Sequence, residues 1–294
     1  MAEAVVVRHA HAKLNVFLRV LGRRDDGYHD LESLVLPLSL ADTVGVRAAD
    51  SLRVDVRGPE RLTAAVAAGG MNLALVAALA LGDACGARGA LVEIDKRIPV
   101  AAGLGGGSAD AAATLHALNG LWGCGFDLET LIDIGARVGS DVPSLLVGGP
   151  VLTSGRGERI EGATFAESWW VVVPFDFPTR SPEAYRWWDE DGGATGPEAG
   201  GLLAAAERGD IGELGRLLYN DLEAPVVARH PEIGGVKQDL LAGGALGAVM
   251  SGSGPTVVGL ARSQLHAQEL ADGITGALAS SAPPPTLDRP AGRP

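Results

Sequence analysis

The stretch Pro99-Val100-Ala101-Ala102-Gly103-Leu104-Gly105-Gly106-Gly107-Ser108-Ala109-Asp110 leads into an alanine-rich segment that predicts a helix over 108–119. Its glycines permit backbone conformations that are closed to other residues, and they let a ligand approach the main chain. A helix start offers unpaired N–H groups and the positive end of the helix dipole. A glycine-rich turn that feeds a helix therefore predicts an anion site, most often for phosphate. The alternative is a turn that only lets the helix pack closely on a sheet.

Neither of the two common phosphate-loop patterns describes this stretch. A dinucleotide loop that starts at Gly103 needs glycine at its sixth position, which is Ser108. A Walker loop needs a lysine near its end, and this stretch contains none. The loop alone therefore leaves the kind of phosphate ligand open.

The composition limits which partners the protein can attract. The 294-residue chain has 24 basic and 36 acidic residues and a formal net charge of −12. Such a charge argues against non-specific binding to nucleic acid or to an anionic membrane. An anionic substrate must therefore be held by local features, namely backbone N–H groups, a metal ion or a few placed cations. The lysines of the chain are Lys13, Lys96 and Lys237.

The cysteines and the N-terminus bear on where the protein works. Cys85 and Cys124 form no metal-binding spacing and fit a reducing compartment, although a single disulfide between them stays open. The N-terminus shows no signal-peptide pattern, and no window approaches the roughly 20 apolar residues of a membrane helix. We therefore expect a soluble cytoplasmic protein.

Hydrophobic periodicity and turn residues predict alternating strands and helices along the chain. Strands are predicted over 4–7, 14–20, 31–38, 43–47, 52–56, 90–94, 169–173, 248–250 and 256–260, with a hairpin over 150–160. Helices are predicted over 72–84, 108–119, 128–138, 202–208, 211–218, 221–228, 233–242 and 264–278. Residues 190–201 predict a surface loop, and the Pro-rich end from Ser280 predicts disorder.

Two aromatic rings follow a polar turn near the start of the chain. Tyr28 and His29 end the stretch Gly22-Arg-Arg-Asp-Asp-Gly-Tyr-His. Their flat faces suit stacking on a planar ligand such as a base, or else they cover a neighbouring strand. The histidines have no regular metal-ligand spacing, so the sequence indicates no metal site formed by side chains alone.

Charged residues at three other places have both a structural and a functional interpretation. Lys13 at a strand boundary is either solvated or part of a site. Asp141, in the turn Gly139-Ser-Asp-Val-Pro, either caps a short helix over 142–147 or is a catalytic carboxylate. Lys96 lies just before the glycine loop, where it either adds positive charge or is a solvated turn residue. A second glycine turn, Met250-Ser-Gly-Ser-Gly-Pro255, suits the wall of a phosphate site.

Taken together, these motifs resemble those of the GHMP small-molecule kinase superfamily, in the same order along the chain. The residues that support the resemblance are Ala12-Lys-Leu-Asn-Val-Phe-Leu, Gly22 to His29, Pro99 to Ala113, Gly139 to Pro143, Asn220-Asp-Leu-Glu and Met250 to Pro255. They span 12 to about 260. The polar turn with its two rings resembles the branch of the superfamily that acts on a cytidine diphosphate-linked alcohol.

The resemblance implies an α/β (α+β) two-domain fold of mixed sheets and helices, with the active site in the cleft between the domains. It implies an N-terminal ATP-binding domain over 1–160, a C-terminal domain over 161–280 and a disordered tail over 281–294. It also implies ATP and Mg²⁺ as cofactors, a small-molecule substrate, no nucleic acid or membrane partner, and a monomer or weak homodimer. The implied reaction is phosphorylation of the 2-hydroxyl of a cytidine diphosphate-linked methylerythritol in the non-mevalonate isoprenoid pathway.

The same resemblance assigns roles to individual residues. Asp141 is the implied base and Lys13 its charge partner. Asn15, Tyr28, His29 and Tyr185 are the implied substrate-binding residues; the match at Tyr185 depends on a short local similarity. The implied ATP-binding residues are Asn72, Lys96, Pro99, Val100, Ala101, Ala102, Gly103, Leu104, Gly105, Gly106, Gly107, Ser108 and Ala109, and Mg²⁺ is implied with ATP near Ser108.

Two alternatives remain at this stage. One is another kinase of the superfamily, acting on homoserine or mevalonate, for which base-stacking rings have no use. The other is a non-catalytic nucleotide-binding sensor on the same fold. The presence of both Lys13 and Asp141 argues against a sensor, because a sensor does not need either one.

Overall fold

A computed structural model describes residues 5–68, 70–87 and 89–283. Within these ranges the chain forms eleven strands and eleven helices. The strands are β1 (Val6–Arg23), β2 (His29–Ala48), β3 (Arg53–Arg57), β4 (Ala90–Asp95), β5 (Val151–Gly155), β6 (Arg159–Gly162), β7 (Ser168–Val173), β8 (Tyr219–Asn220), β9 (Gly247–Met250), β10 (Val257–Ala261) and β11 (Leu278–Ala282). The helices are α1 (Glu60–Ala68), α2 (Leu73–Cys85), α3 (Gly106–Trp122), α4 (Leu128–Val138), α5 (Val142–Val147), α6 (Ser181–Glu190), α7 (Gly200–Arg208), α8 (Ile211–Leu217), α9 (Glu223–Arg229), α10 (Pro231–Ala242) and α11 (Gln264–Asp272).

Two long antiparallel strands form the centre of the first sheet. β1 has 18 residues and β2 has 20, and they pair from Val6↔Val46 to Arg23↔His29. Two shorter strands were predicted in place of each, which is wrong for the described residues; Ala4 lies outside those residues. The segment between the two predicted strands, Arg8 to Lys13, alternates polar residues with buried alanines, and it continues the strand. A register shift between His11 and Lys13 accommodates the change of pattern.

The first sheet has the order β3-β4-β2-β1-β8, and β5 pairs with both β2 and β6. Helix α3 packs on β1 and β2, with α2 and α5 beside it. This packing suits α3 because its buried face is mostly alanine, which lets a helix approach a sheet closely. β8 joins β1 in parallel, so residues from 219–220 complete a sheet formed otherwise by residues 6–162.

The second sheet has the order β11-β7-β10-β9, all antiparallel. β11 was not predicted. The last helix was predicted over 264–278 but ends at Asp272, and β11 includes the first residues of the tail that was predicted to be disordered. The small residues of β11 pair with β7 from Leu278↔Val172 to Ala282↔Ser168. The rest of the predicted tail, 284–294, lies outside the described residues.

Two helices also differ from the sequence expectations. α1 was not predicted, and α6 occupies a segment for which only aromatic residues were noted. Pro182 in the first turn of α6 is compatible with a helix start, because that turn does not need its N–H. The helices predicted over 128–138, 202–208, 211–218, 221–228 and 233–242 are present, with ends that differ by at most two residues.

Cys85, at the end of α2, is joined by a disulfide to Cys124, just after α3. The sequence left this bond open, and the structure contains it.

Within the described ranges, none of the helices combines the length and the apolar character needed to cross a bilayer.

Leu115 lies on α3 and is fully buried in the core between α3 and the first sheet. We expect Leu115→Ala to lower the free energy of unfolding by about 2–5 kcal/mol, because truncation loses apolar burial and leaves a cavity. Urea denaturation followed by tryptophan fluorescence measures the change. Leu265→Ala on α11 is the matched control, since Leu265 is 69% exposed. Equal losses in the two variants would contradict the placement of Leu115 in the core.

Candidate active site

The glycine loop connects β4 to α3 and lies against the second glycine turn. α3 begins at Gly106, two residues before the predicted start, and Gly105 precedes it with a left-handed φ of +68°. A Cβ at Gly103 would come within 2.6 Å of the Gly254 carbonyl oxygen. Thr256 Oγ1 also donates a hydrogen bond to the carbonyl of Ala102. The two glycine-rich segments therefore approach each other so closely that side chains are excluded.

Lys13 lies directly beneath this loop. A Cβ at Gly105 would come within 2.9 Å of Lys13 Cγ, and the Lys13 N–H donates to Leu104 O at 2.9 Å. The side chain is buried, and its ammonium donates to Asn15 Oδ1 at 2.7 Å. Lys13 is thus held on β1 at the foot of the loop rather than solvated at a strand end.

Asp141, in the turn before α5, also contacts Lys13. Asp141 Oδ2 is 3.5 Å from Lys13 Nζ, and the carboxylate is 46% exposed to the cleft. Asp141 precedes α5, but its side chain makes no capping hydrogen bond. The structural interpretation of Asp141 as a helix cap is therefore wrong, and its carboxylate is available to a ligand.

Asn15 is fixed by a short hydrogen-bond network. Its Nδ2 donates to Ser33 Oγ at 2.8 Å, and its backbone N–H donates to Ser251 Oγ at 2.9 Å. Asn220 Nδ2 donates to the carbonyls of Met250 and Gly252 at 2.7 Å, which holds the second glycine turn against this network. The sequence indicated the turn, but the contact with Asn15 depends on a tertiary approach that no local pattern reveals.

Lys96 and Asn72, both expected at the ATP site, have structural contacts of their own. The buried Lys96 ammonium donates to Asp110 Oδ2 at 2.7 Å and to Asp42. Asp42 Oδ1 also accepts from the N–H groups of Arg97 and Ile98, at 2.5 and 2.9 Å. Asn72 Oδ1 caps α2 by accepting from the Ala74 N–H at 2.8 Å. The solvated-turn interpretation of Lys96 is therefore wrong.

This buried cluster of one ammonium and two carboxylates shifts the titration of its members. Burial raises the pKa of Asp110 to about 8; the Lys96 charge opposes the shift and the Asp42 charge adds to it. Burial acts to lower the pKa of Lys96, but the Asp110 and Asp42 charges outweigh it, so that pKa is raised. The raised pKa means that the Asp110 carboxyl binds a proton at higher pH than an exposed aspartate does.

The aromatic residues lie at the far end of the same cleft. Tyr28 is 59% exposed, and the Arg156 guanidinium lies 4.9 Å from its ring centre. His29 is buried and stacks on Tyr185, with ring centres 4.9 Å apart and an interplanar angle of 18°. Burial, with the Asp141 charge adding to it, raises the pKa of Tyr185. Tyr185 and Asp141 therefore line the same cleft, close enough for the carboxylate charge to act on the phenol.

One cleft of about 1130 Å³ is lined by eight of these residues: Lys13, Asn15, Tyr28, His29, Gly103, Gly105, Asp141 and Tyr185. The Lys96 cluster and Asn72 are not part of its lining. Arg156 and Asp189 also line it, and sequence reasoning missed both, because neither lies in a recognisable motif. Within the described part of the chain, no group of three or more His, Cys, Asp or Glu side chains could hold a metal ion.

Comparison with known proteins gives consistent matches over most of the chain. Two family models match: "GHMP kinases N terminal domain" over 72–149 and "GHMP kinases C terminal" over 202–279. A 4-diphosphocytidyl-2-C-methyl-D-erythritol kinase of Symbiobacterium thermophilum is 45% identical over 257 residues, covering 85% of this chain and 88% of that protein. A protein of Leifsonia xyli with the same name is 41% identical, covering 88% of each chain.

Solved structures agree with these relatives. A crystal structure of 4-(cytidine 5'-diphospho)-2C-methyl-D-erythritol kinase superimposes with a TM-score of 0.80 at 35% identity, covering 94% of this chain and 98% of that one. The mevalonate kinase of L. major has a TM-score of 0.73 at 18% identity, with 97% and 98% coverage, which shows a shared fold alone.

The two-sheet fold and the matched family models define a GHMP small-molecule kinase, an ATP-dependent enzyme. The similarity to the relatives extends through both matched regions. Within the superfamily, the chain belongs to the 4-diphosphocytidyl-2-C-methyl-D-erythritol kinases.

Gly105 allows a direct test of the contact between the loop and Lys13. We expect Gly105→Ala to lower kcat/KM by about 100-fold or more, because the new Cβ displaces Lys13 from its partners. Gly123→Ala is the matched control, since Gly123 ends the same helix with a φ of +64° and open space around it. That variant should lose about 1 kcal/mol of stability and little activity. Steady-state kinetics and thermal melts compare the two, and equal activities would refute the contact.

Asp110 allows a test of the buried cluster through the pH dependence of stability. A raised folded-state pKa means that the folded chain keeps a proton that the unfolded chain releases above about 3.8. The resulting stabilisation is complete below that pH and is lost as the pH rises towards about 8. Asp110→Asn cannot titrate, so its stability relative to wild type should increase from pH 5 to pH 8.5. Denaturation midpoints at several pH values measure this, and a constant difference would contradict it.

Proposed function

We propose that this chain transfers the γ-phosphoryl group of ATP to the 2-hydroxyl of 4-diphosphocytidyl-2-C-methyl-D-erythritol, giving its 2-phosphate in the non-mevalonate route to isoprenoid precursors. The supporting observation is the Lys13–Asp141 pair, 3.5 Å apart, beneath a glycine loop and in the same cleft as three aromatic rings. Phosphoryl transfer depends mostly on positioning and charge neutralisation. The cleft offers both.

In this proposal the acceptor hydroxyl binds next to Asp141. The half-exposed carboxylate accepts the hydroxyl proton, or orients it, as the new bond to phosphorus forms. Lys13 offsets the negative charge that develops on the transferred group. Asn15 takes no part in the proton transfer; its fixed side chain holds Lys13 and contacts the substrate.

The glycine loop suits a nucleotide triphosphate in the part of the cleft above Lys13. The first N–H groups of α3 have no partners within the helix, so they can donate to phosphate oxygens where no Cβ intervenes. The proposed ATP-binding residues are Pro99 to Ala109 with Asn72 and Lys96. Because the Lys96 ammonium is committed to Asp42 and Asp110, its contribution is to hold the start of the loop.

The Ser108 hydroxyl is the side chain of the loop that fits a magnesium ion. Ser108 is in the first turn of α3, is partly exposed and lies close to the turn that contains Asp141. Mg²⁺ prefers oxygen ligands and is usually bound by few protein groups together with substrate phosphates. When bound there, the ion would neutralise charge on the β- and γ-phosphates.

Tyr28, His29 and Tyr185 are the proposed base-binding residues at the other end of the cleft. Tyr28 presents an exposed ring for stacking. His29 already covers one face of Tyr185, so in this proposal the base stacks on Tyr28 and meets His29 and Tyr185 at its edge. A pocket for homoserine or mevalonate has no use for these rings, which favours the cytidine-linked alcohol.

We infer a cytoplasmic enzyme that acts as a monomer or weak homodimer and binds no nucleic acid. The acidic net charge supports the last of these three proposals. We also infer a domain boundary near residue 160. The pairing of β8 with β1 means that the second domain then contributes one short strand to the first sheet.

The test of the reaction is consumption of ATP by the purified protein with Mg²⁺ and each of three alcohols. We expect turnover with 4-diphosphocytidyl-2-C-methyl-D-erythritol and none with mevalonate or homoserine. Turnover with either control alone would refute the base-binding site while keeping the kinase fold. No turnover with any alcohol, together with normal ATP binding, would favour the sensor.

Removal of either member of the catalytic pair tests the mechanism. We expect Asp141→Asn and Lys13→Ala each to lower kcat by about 10²- to 10⁴-fold, because one loses the base and the other the charge partner. Asp133→Asn, an equivalent change at an exposed position of α4, is the matched control and should keep the wild-type rate. A normal rate for Asp141→Asn would eliminate the proposed base.

A further inference from the structure

We propose that Asp189 is a specificity-determining residue that makes the cleft select a pyrimidine with an exocyclic amine over one with a carbonyl at the same position. It does so by fixing which nitrogen of His29 carries the proton. The inference rests on the proposed function, because it assumes that His29 faces the base of the substrate.

Helix α6 surrounds the His29 ring with three side chains on one of its faces. Tyr185 stacks on the ring, and Trp188 meets it edge-on with ring centres 5.8 Å apart at 90°. Asp189 Oδ1 lies 3.0 Å from His29 Nε2. These residues are spaced i, i+3 and i+4, which places them together on a helix surface. The ring therefore has one position and one orientation.

The Asp189 contact determines the tautomer of His29. An ionised carboxylate can only accept hydrogen bonds, so Nε2 must carry the proton that is shared with Asp189. In the neutral ring Nδ1 is then an acceptor. Among the described residues none forms a hydrogen bond with Nδ1, and His29 lines the cleft. Nδ1 thus presents a lone pair to whatever base binds there.

A fixed acceptor at this point distinguishes two pyrimidines of nearly identical shape. Cytosine presents an amine at C4, which donates to Nδ1, whereas uracil presents a carbonyl there, which places two acceptors face to face. Stacking on Tyr28 is equally available to both rings, so it contributes affinity but does not discriminate between cytosine and uracil. An acceptor left without a donor in a confined site weakens binding, so uracil binds less favourably than cytosine.

Asp189 has no other partner that explains its position. Within the described chain His29 is the only hydrogen-bond or ion-pair partner of the Asp189 carboxylate, and this side chain is 31% exposed at the wall of the cleft. By contrast, Asp191 at the end of the same helix pairs with Arg229 at 2.7 and 3.0 Å. Asp191 is absent from the lining of the cleft. Asp191 is therefore a matched control on the same helix.

The experiment measures the tautomer and the selectivity separately. Nitrogen-15 spectra of histidine-labelled protein, with His29→Gln to assign the signal, report which nitrogen of His29 is protonated. Calorimetry with CDP and UDP, without ATP, reports the choice of base. Wild type should show the proton on Nε2 and bind CDP more tightly. Asp189→Ala should shift the proton towards Nδ1 and weaken CDP binding by about 10-fold with UDP little changed.

Two further variants and the kinetics separate positioning from a loss of structure. Asp189→Asn keeps an acceptor oxygen for Nε2 and should retain much of the preference, and Asp191→Ala should behave as wild type. In turnover assays Asp189→Ala should raise KM for the cytidylyl substrate and leave KM for ATP unchanged.

An Asp189→Ala variant that keeps the Nε2 proton and the full preference for CDP would overturn the proposal. So would a wild type that binds CDP and UDP equally, even with normal turnover of the cytidylyl substrate. CDP preference without turnover of any alcohol would instead refute the proposed reaction and support the role of Asp189.

Discussion

The approach of Lys13 to the main chain of Gly105 is the contact on which the site depends. An ammonium on a central strand can lie beneath a helix start only where the loop above it has no side chain. The same lysine contacts Asn15 and Asp141, so the loop, the central strand and the turn before α5 meet at one charge. An acidic protein can in this way gather two anionic ligands without a basic surface, because the positive potential is provided locally.

A second buried ammonium supports the loop from behind. Lys96 joins Asp42 on β2 to Asp110 on α3, and Asp42 also holds the backbone at Arg97 and Ile98. The two ends of the glycine loop are therefore tied to each other through one cluster. Burial of these groups has an unfavourable desolvation free energy, so the cluster is stable only while every partner is present. In exchange, the cluster holds the glycine loop in a fixed position.

The sequence predicted the parts of this structure that local patterns encode. The loop, α3, α4 and the strands around the second glycine turn follow from glycine placement and hydrophobic period, and motif resemblance predicted the family. The long strands were missed because polar and small residues alternate at their centre, which imitates a turn. β11 was missed because Leu278 to Ala282 has little hydrophobic character and becomes a strand only by pairing with β7. Asp189 and Arg156 were missed because their positions depend on tertiary contacts alone.

The pairing of β8 with β1 has a consequence for how ligands enter. Asp221 ties this junction further, since its N–H donates to Leu18 O and its carboxylate accepts from the Val20 N–H. On the opposite side, Ser280 Oγ bonds to Ser39 Oγ and to the Leu40 N–H. Residues before 160 and residues after 160 are thus joined by hydrogen bonds at two separate places. A hinge opening between these two parts of the chain would have to break both sets, whereas movement of the loops at the rim of the cleft would break neither.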